Sequence, residues 1–533
     1  MDGGNMKKII VLTGSFNPVT IAHYKILSDA VEKFGADEGI FIATSQDYLM
    51  RKALIKTTPP SRFILSDRVR GEMLSSLSIE NPKLSFWGIE LGGVTANTYK
   101  TLVKLLKDKR KQYPTEEIKL YFLFGADKLR QLPHWNNAEE MSDLCEYLVY
   151  ARHSDMEEVI DSDRFLSSRR DRIHLMHIDN EDVEDVSSTE LRRRFFSGED
   201  YSCLMNEGPY RIMMQFSPSD FPPVTDEDII RAHILYDGRF GINAARLKVY
   251  KSNCKIFGTW PSYLGNREEH LKAKVYDTKF TVNAPQLSQD TVTGCVNADC
   301  IDVAKTMLDE GLKPAILNLA SRISPCGGYH KGTSAQEECL SQCSTLSQSL
   351  YQFGNPKYKH IREANLRYVP DVYPMDINYG GIYSPTVTFF RHNVSKYYSL
   401  RDETFDCAII SVASLSNREK NEYTNDEQIY FDAEGYLTNE GKEIELNKIR
   451  TIFRIALENR HDSIVLGAFG CGVYRLHSDE VAALFRDVMN EPEFKNRFKK
   501  LIFAIYEGKP SPRKRQIGPD GKFAPFYEIM QKE

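Results

Sequence analysis

Thr20 and His23 open an apolar pattern of helical period directly behind the turn Gly14-Ser15-Phe16-Asn17-Pro18. A three-residue spacing puts both side chains on one face of a helix's first turn. The free N–H groups and partial positive charge of that helix end suit a phosphate. Gly14 lets a ligand approach the backbone closely. A second set is Ser187, Ser188 and Thr189 with Arg192. Ser187 and Glu190 have capping-box spacing, so a helix starts here, and its N-terminus, hydroxyls and guanidinium form another anion site. A third is Gln336-Glu337-Glu338, separated by seven residues from Gly327-Gly328. A carboxylic acid at such a loop can donate a proton and then take one from water. Adjacent residues on a helix do not share a face, so Glu337 and Glu338 must have different jobs. Each set has a plainer reading: a tight turn with a surface histidine, a simple cap, and acids that favour a helix N-terminus, with Ser334 and Glu337 also at capping-box spacing.

These residues need α/β scaffolding, and the apolar pattern supplies it. Ile9-Ile10-Val11-Leu12 reads as a buried strand, followed by a helix through Ile26, Leu27, Ala30, Val31 and Phe34. Phe41-Ile42-Ala43 is a second strand, with a loop over Thr44–Lys56 that carries Arg51 and Lys52. Leu65, Val69, Met73 and Leu77 predict a helix opened by Pro59-Pro60-Ser61. Asn97-Thr98 begins another, through Leu102 and Leu105. The strand Leu120–Phe124 delivers Gly125-Ala126-Asp127 at its carboxyl end, where open α/β sheets bind ligands; Asp127 as an N-cap is the competing role. Strands Tyr147–Arg152 and Ile173–Ile178 follow. Ser217–Asp228 is rich in proline and acid and reads as a linker. Beyond it a helix over Asp299–Gly311 and a buried strand Pro314–Ala320 precede the loop Pro325–Gln336. The strand Ser463–Leu466 then enters Gly467–Tyr474, a second glycine loop. Two such loops at strand ends can cradle a diphosphate.

The first half resembles the nucleotidyltransferase superfamily with its (H/T)xxH signature. Its GSFNPVTxxH wording looks like nicotinamide/nicotinate mononucleotide adenylyltransferases, especially of the eukaryotic type. The superfamily's commoner HxGH has His where Thr20 stands and Gly where Ala22 stands. Strand-GAD with Trp135 shortly after, and Ser187-Ser188-Thr189 with Arg192, fit the same family over roughly residues 7 to 216. The resemblance implies attack by a mononucleotide phosphate on the α-phosphorus of ATP, with loss of pyrophosphate. It gives His23 to the α-phosphate and Arg192 to the β- and γ-phosphates. Gly14, Ser15, Phe16 and Thr20 would line the nucleotide loop, and Asp127 with Gly125 would stand beside the ribose. Lys52 would reach the mononucleotide phosphate or is a solvated lysine; Trp87 and Trp135 would hold the pyridine or are half-buried core. Mg²⁺ would arrive with ATP, held by phosphates and water, with no metal-ligating side chains.

The second half resembles microbial-type poly(ADP-ribose) glycohydrolases, a macrodomain family, from about 290 to 506. The carriers are NLAS, GG with QEE, and GAFGCGVY. Cys326 replaces a usual third glycine, and Val412–Asn417 is altered. The resemblance makes Glu338 the acid/base and Glu337 the residue that positions the ribose. It makes Asn318, Gly327, Gly328, Gln336, Gly470, Cys471, Gly472, Val473 and Tyr474 ligand-binding, with Phe469 and Tyr474 either flanking ADP-ribose or ordinary core.

The expectation is therefore two α/β domains, a Rossmann-like nucleotidyltransferase fold and a macrodomain-like fold. Their spans are 1–216, a linker 217–228, an unassigned extension 229–289 packed on the second domain, and 290–533. A chain of 533 residues is too long for one core. Its net charge of −5 gives no bulk attraction to nucleic acid or anionic membrane. Ten cysteines without a CxxC pair read as thiols of a reducing compartment. With no apolar signal region and no run of about 18 apolar residues, the expected location is the cytoplasm. The expected function is bifunctional: NAD synthesis from ATP and nicotinamide or nicotinate mononucleotide, plus hydrolysis of ADP-ribosyl bonds on ADP-ribosylated protein. The alternative is a macrodomain that only binds ADP-ribose as a reader. A further alternative is a nucleotidyltransferase acting on a different phosphate. Subunit number stays open, a homo-oligomer included.

Overall fold

The structure is a computed structural model and describes residues 6–51, 63–91, 97–151, 156–177, 186–236, 238–418, 427–507 and 521–531. Lys52 lies outside the described residues. The chain divides into two compact units, Met1–Asp228 and Ile229–Glu533.

The first unit is built on six parallel strands: β1 (Met6–Gly14), β2 (Glu38–Ala43), β3 (Leu84–Phe86), β4 (Glu117–Gly125), β5 (Glu146–Ala151) and β6 (Ile173–His177). Their order is β3-β2-β1-β4-β5-β6, so the direction of winding reverses between β1 and β4. That crevice is where doubly wound sheets bind ligands. Alternation along the strands divides the core in two. Ile10, Leu12, Phe41 and Leu123 face the helices Ile21–Lys33 and Ser188–Ser197. Ile9, Val11, Ile42 and Phe122 face the opposite side, where Trp87 and Trp135 pack.

Two local expectations are corrected. The helix bearing Val69, Met73 and Leu77 starts at Asp67, because the Ser66 side chain accepts the Val69 N–H and caps it; Leu65 precedes the helix. The loop after β2 holds a short helix, Gln46–Arg51. Within the stretch read as a linker, Phe221 stacks on Phe63 with centroids 4.3 Å apart, and Asp226–Tyr236 is helical.

The second unit carries β7 (Lys274–Tyr276), β8 (Val292–Val296), β9 (Pro314–Leu319), β10 (Gly381–Arg391), β11 (Leu400–Val412), β12 (Ser463–Leu466) and β13 (Lys500–Ala504). They form one mixed sheet in the order β7-β10-β11-β9-β12-β13-β8. The five strands from β11 to β8 are parallel, and β10 and β7 are antiparallel additions at one edge. The stretch 229–289 is woven into this unit. β7 joins the sheet, and the helix Gly238–Thr259 backs the first glycine loop, with Asn253 Nδ2 donating to the Tyr329 hydroxyl at 2.8 Å. The fully buried Arg391 donates to Asn253 and Ser252 from β10, which ties that helix to the sheet.

Candidate active sites

In the first unit, residues some 170 positions apart converge on one turn. Phe16 takes a left-handed φ of 42° and is buried against Phe41, with its ring edge-on to His23 at 5.1 Å. A Cβ on Gly14 would meet the Phe16 ring at 3.0 Å, so a side chain there would push the turn outward. The turn is pinned from several directions. Asn17 donates to the Phe63 carbonyl at 2.7 Å and accepts from the Leu65 N–H at 2.8 Å. The Ser188 hydroxyl donates to the Pro18 carbonyl at 2.8 Å, and Arg192 donates to the Asn17 carbonyl at 2.7 Å. The (T)xxH and SSTxxR sets thereby form one site.

Thr20 caps the His23 helix, and its backbone N–H donates to His23 Nδ1 at 3.1 Å. A backbone amide can only donate, so Nδ1 is the acceptor and the neutral ring carries its proton on Nε2. That is the tautomer that can donate to a phosphate oxygen. Ser187 accepts the Glu190 N–H at 3.1 Å as N-cap. The expected reciprocal bond of a capping box is not what Glu190 makes: its carboxylate pairs with Arg193 and Arg194. Arg193 also pairs with Glu199. Among the described residues no carboxylate pairs with Arg192, whose second amino group donates to the Thr189 hydroxyl at 3.1 Å. Partial burial lowers its pKa from the usual value, yet a guanidinium stays charged. Its charge remains available to an anion.

Gly125 ends β4 next to Gly14 of β1, and the carboxylate of the exposed Asp127 lies over Gly125, 2.6 Å from where a Cβ would stand. Trp135 packs against Phe122 and Phe124. Trp87 borders a cavity of about 290 Å³ that reaches Glu38 at the entry of β2 and Lys109. Both are half-buried on the sheet face opposite His23.

Sequence reasoning missed the residue that holds this turn from below. Arg70 is wholly buried and donates to the Ser15 carbonyl at 2.8 Å and the Thr44 carbonyl at 2.7 Å. It thereby joins the loops that follow β1 and β2. Asp67, 2.5 Å away, balances its charge, as a buried cation requires. The available signal was a charged residue lying on the buried face of a helix, beside Val69 and Met73.

In the second unit the helix Gln336–Cys343 aims its first turn at the carboxyl end of β9. Glu337 is buried and accepts from the Ser321 N–H at 2.8 Å, the Cys326 N–H at 3.1 Å and Asn318 Nδ2 at 3.3 Å. Its carboxylate is therefore no helix cap; Ala335 is the N-cap, with no side-chain cap bond. Burial, and next the Glu338 charge, push Glu337 up to about 8, against the pull of its N–H donors. Glu338 accepts the Gly328 N–H at 2.8 Å through Oε1. Its other oxygen, Oε2, is buried and has no hydrogen-bond partner among the described residues. The two carboxyls thus differ as expected of neighbours: one fully engaged, the other with an oxygen to offer.

Gly327 shows why this loop needs glycine. Its φ is +49°, and a Cβ would stand 2.5 Å from Glu338 Oε1 and 3.2 Å from Glu337 Oε2. Gly327→Ala is expected to displace the Glu337 and Glu338 carboxylates and to cost about 1–3 kcal/mol of stability in the second unit. Thermal unfolding of the variant against the parent protein checks this.

Other expectations divide. Asn318 joins Glu337 to Ser411, and its Oδ1 is buried without a partner among the described residues. Gln336 is corrected: its amide is taken up by β9, donating to the Leu317 carbonyl and accepting the Leu319 N–H, so it anchors the helix instead of facing a ligand. Phe469 is core, wholly buried near Phe485. In the second glycine loop Gly470 has φ +72°, Cys471 is buried with its thiol on the Phe469 carbonyl, Gly472 and exposed Val473 continue the turn, and the Tyr474 hydroxyl donates to the Ala320 carbonyl at 3.4 Å. Val412–Asn417 is supported by a buried polar network that sequence reasoning did not foresee. Glu445 accepts from Ser414 and the Leu415 N–H, Lys448 donates to the Ala413 carbonyl, and Glu427, paired with Arg322, accepts the Ser416 N–H. Burial pushes Glu445 up to about 7 and Lys448 down to about 8.

Among the described residues no group of three His, Cys, Asp or Glu side chains is placed to hold a metal, and no helix is long and apolar enough to cross a membrane.

The first unit has the doubly wound fold and anion-binding turn of a nucleotidyltransferase, and residues 11–194 match the cytidylyltransferase-like family. The chain belongs, through this unit, to the nicotinate-nucleotide adenylyltransferase family. A probable nicotinate-nucleotide adenylyltransferase of Clostridium botulinum is 30% identical over 211 residues, which cover 38% of this chain and 95% of that protein. One from Fusobacterium nucleatum is 29% identical over 201 residues, covering 38% and 93%. In the second unit residues 265–392 match the family described as microbial-type PARG, catalytic domain. The poly(ADP-ribose) glycohydrolase of Thermomonospora curvata shares 20% identity at a TM-score of 0.40, covering 54% of this chain and 99% of that one. The Deinococcus radiodurans enzyme in complex with ADP-ribose shares 20% at 0.36, covering 50% and 96%.

Proposed function

We propose that this chain is a bifunctional enzyme of NAD metabolism. Its first unit joins a pyridine mononucleotide to the adenylyl group of ATP. The observation that carries this is the convergence of the His23 helix and of Ser188 and Arg192 on one turn, through the Pro18 and Asn17 carbonyls. An oxygen of the mononucleotide phosphate attacks the α-phosphorus, the bond to the β-phosphate breaks, and pyrophosphate leaves. The attacking phosphate is already ionised, so the protein supplies positioning and charge. His23 Nε2–H donates to the α-phosphate, and Arg192 with the Ser187–Thr189 helix end holds the departing pyrophosphate. Mg²⁺ arriving with ATP, held by its phosphates and water, would supply further charge neutralisation. Asp127 and Gly125 border the ribose, and Trp87 and Trp135 give the pyridine side its aromatic wall. The names of the relatives favour nicotinate over nicotinamide mononucleotide.

The second unit hydrolyses ADP-ribosyl bonds. Its supporting observation is Glu338, one oxygen held by Gly328 and the other buried without a protein partner among the described residues. Glu338 gives a proton to the leaving oxygen as the bond to the anomeric carbon breaks. It then takes a proton from the water that adds to that carbon. The products are ADP-ribose and the freed hydroxyl. Glu337 and Asn318 hold the ribose side, and the Gly470–Tyr474 loop cradles the diphosphate. The test is one preparation given two substrate sets: ATP with each mononucleotide, reading dinucleotide and pyrophosphate, and ADP-ribosylated protein, reading free ADP-ribose. Both products are expected. Absence of dinucleotide refutes the first reading, and binding of ADP-ribose without release refutes the second in favour of a reader.

A further inference from the structure

We infer that Lys522, carried in from the far end of the chain, is a further specificity-determining residue of the second unit: its ammonium group supplies the countercharge for the diphosphate of an ADP-ribosyl ligand at the Gly470–Tyr474 loop. This rests on the reading of that loop as the diphosphate cradle. Gly470, Cys471, Gly472, Val473 and Tyr474 bring no cationic side chain of their own. Backbone N–H groups can cradle a phosphate, yet a diphosphate carries more negative charge than neutral donors cancel.

The fold fixes Lys522 beside this loop. It directly precedes the helix Phe523–Gln531. Phe526 and Met530 of that helix are buried with Leu501 and Phe503 of β13, and the Phe526 and Phe503 ring centroids are 5.1 Å apart. Glu507, just past β13, anchors the start of the helix: it accepts the N–H of Lys522 and, at 3.0 Å, that of Phe523. Glu507 is held in turn by Asn297, whose Oδ1 accepts the Glu507 N–H at 3.0 Å. A Cβ on Gly521 would stand 2.7 Å from Glu507 Oε1, so the chain meets this anchor with glycine in that place. β12 and β13 are parallel neighbours. Glu507 and the glycine loop therefore lie at the same end of the sheet, the carboxyl end, where such sheets bind ligands.

From there the half-buried side chain reaches the loop. Lys522 Nζ lies 3.6 Å from where a Gly472 Cβ would stand. Its charge is felt inside the turn: burial pushes the Cys471 thiol up to about 12, and the Lys522 ammonium pulls against that rise. Among the described residues no carboxylate pairs with the ammonium, since Glu507 engages backbone N–H groups instead. A lysine ammonium is a compact point charge on a flexible stem, which suits phosphate oxygens. The diphosphate takes no part in the bond exchange at the anomeric carbon, so this contact holds substrate and transition state alike.

The test titrates the full chain with ADP-ribose at low and high salt, comparing the parent protein with Lys522→Ala and Lys522→Arg, and records thermal unfolding of each. Lys522→Ala is expected to lower ADP-ribose affinity about tenfold, the size of one hydrogen bond to a charged group, at an unchanged unfolding temperature. Added salt should weaken the parent protein more than Lys522→Ala, because it screens a contact that the variant lacks. Lys522→Arg keeps the charge and should keep most of the affinity. On ADP-ribosylated protein the loss should stand in KM and leave kcat alone. Equal affinity in the parent protein and Lys522→Ala overturns the proposal. So does a loss with the same salt sensitivity in both, which would reduce Lys522 to a support of the loop, and so does an equal loss in Lys522→Arg. A chain that binds no ADP-ribose refutes this assignment together with the reading it rests on. Lys522-dependent binding without release of ADP-ribose refutes hydrolysis and leaves the assignment standing.

Discussion

Glu338→Gln is expected to lower the rate of ADP-ribose release by about 10²–10⁴-fold, the usual contribution of a positioned acid/base. The isosteric amide keeps the size and can still accept the Gly328 N–H that Glu338 Oε1 accepts at 2.8 Å. What it removes is the exchangeable proton at the other position. Retained affinity for ADP-ribose with lost turnover is the result that identifies the acid/base. Equal activity in both proteins would show that the buried oxygen takes no part. The pH profile gives an independent reading. Burial, with the neighbouring Glu338 charge, keeps a proton on Glu337 up to about pH 8. Above that pH Glu337 ionises and puts a negative charge on the ribose side next to the acid/base, so the rate should fall as pH rises through about 8. Rate measurements from pH 6 to 10 test the sign, and a rate that rises through 8 would contradict it.

What was legible in the chain was short-range. A glycine turn, an N-cap and a helix periodicity lie within ten residues, so Gly14–His23, Ser187–Arg192 and Gln336–Glu338 could be read as chemistry before any fold was known. The supports were not legible because their partners are remote. Asn17 finds Phe63 and Leu65, Arg70 finds Ser15 and Thr44, and Ser188 finds Pro18. Local spacing misled in two places. Leu65 continues the four-residue apolar rhythm of a helix that begins only at Asp67. Gln336 opens a helix pointed at a site, yet its amide serves the β9 backbone. In both cases a tertiary or capping interaction decided what periodicity left open. The stretch 229–289 resisted assignment for a related reason: Asn253 and Ser252 match no surface pattern, being buried partners of Arg391 in a sheet more than a hundred residues on.

His23→Ala is expected to reduce kcat for adenylyl transfer by about 10²–10³-fold, the loss seen when one preorganised donor to a developing negative charge is removed. The KM for ATP should change little, since Arg192 and the helix end at Ser187 remain to hold the phosphates. The ring's tautomer decides this effect. Because the Thr20 amide donates to Nδ1 at 3.1 Å, the neutral ring already presents Nε2–H. It needs no rearrangement when charge develops on the α-phosphate. His23→Asn, whose amide is shorter than an imidazole, should recover only part of the lost rate. His23→Ala also removes the edge-on contact with Phe16 at 5.1 Å. A fall caused by loosening of the Gly14–Pro18 turn would raise KM along with lowering kcat. Steady-state kinetics that show the loss in kcat alone would assign His23 to the transition state, whereas a loss confined to KM would reduce it to a structural support for Phe16.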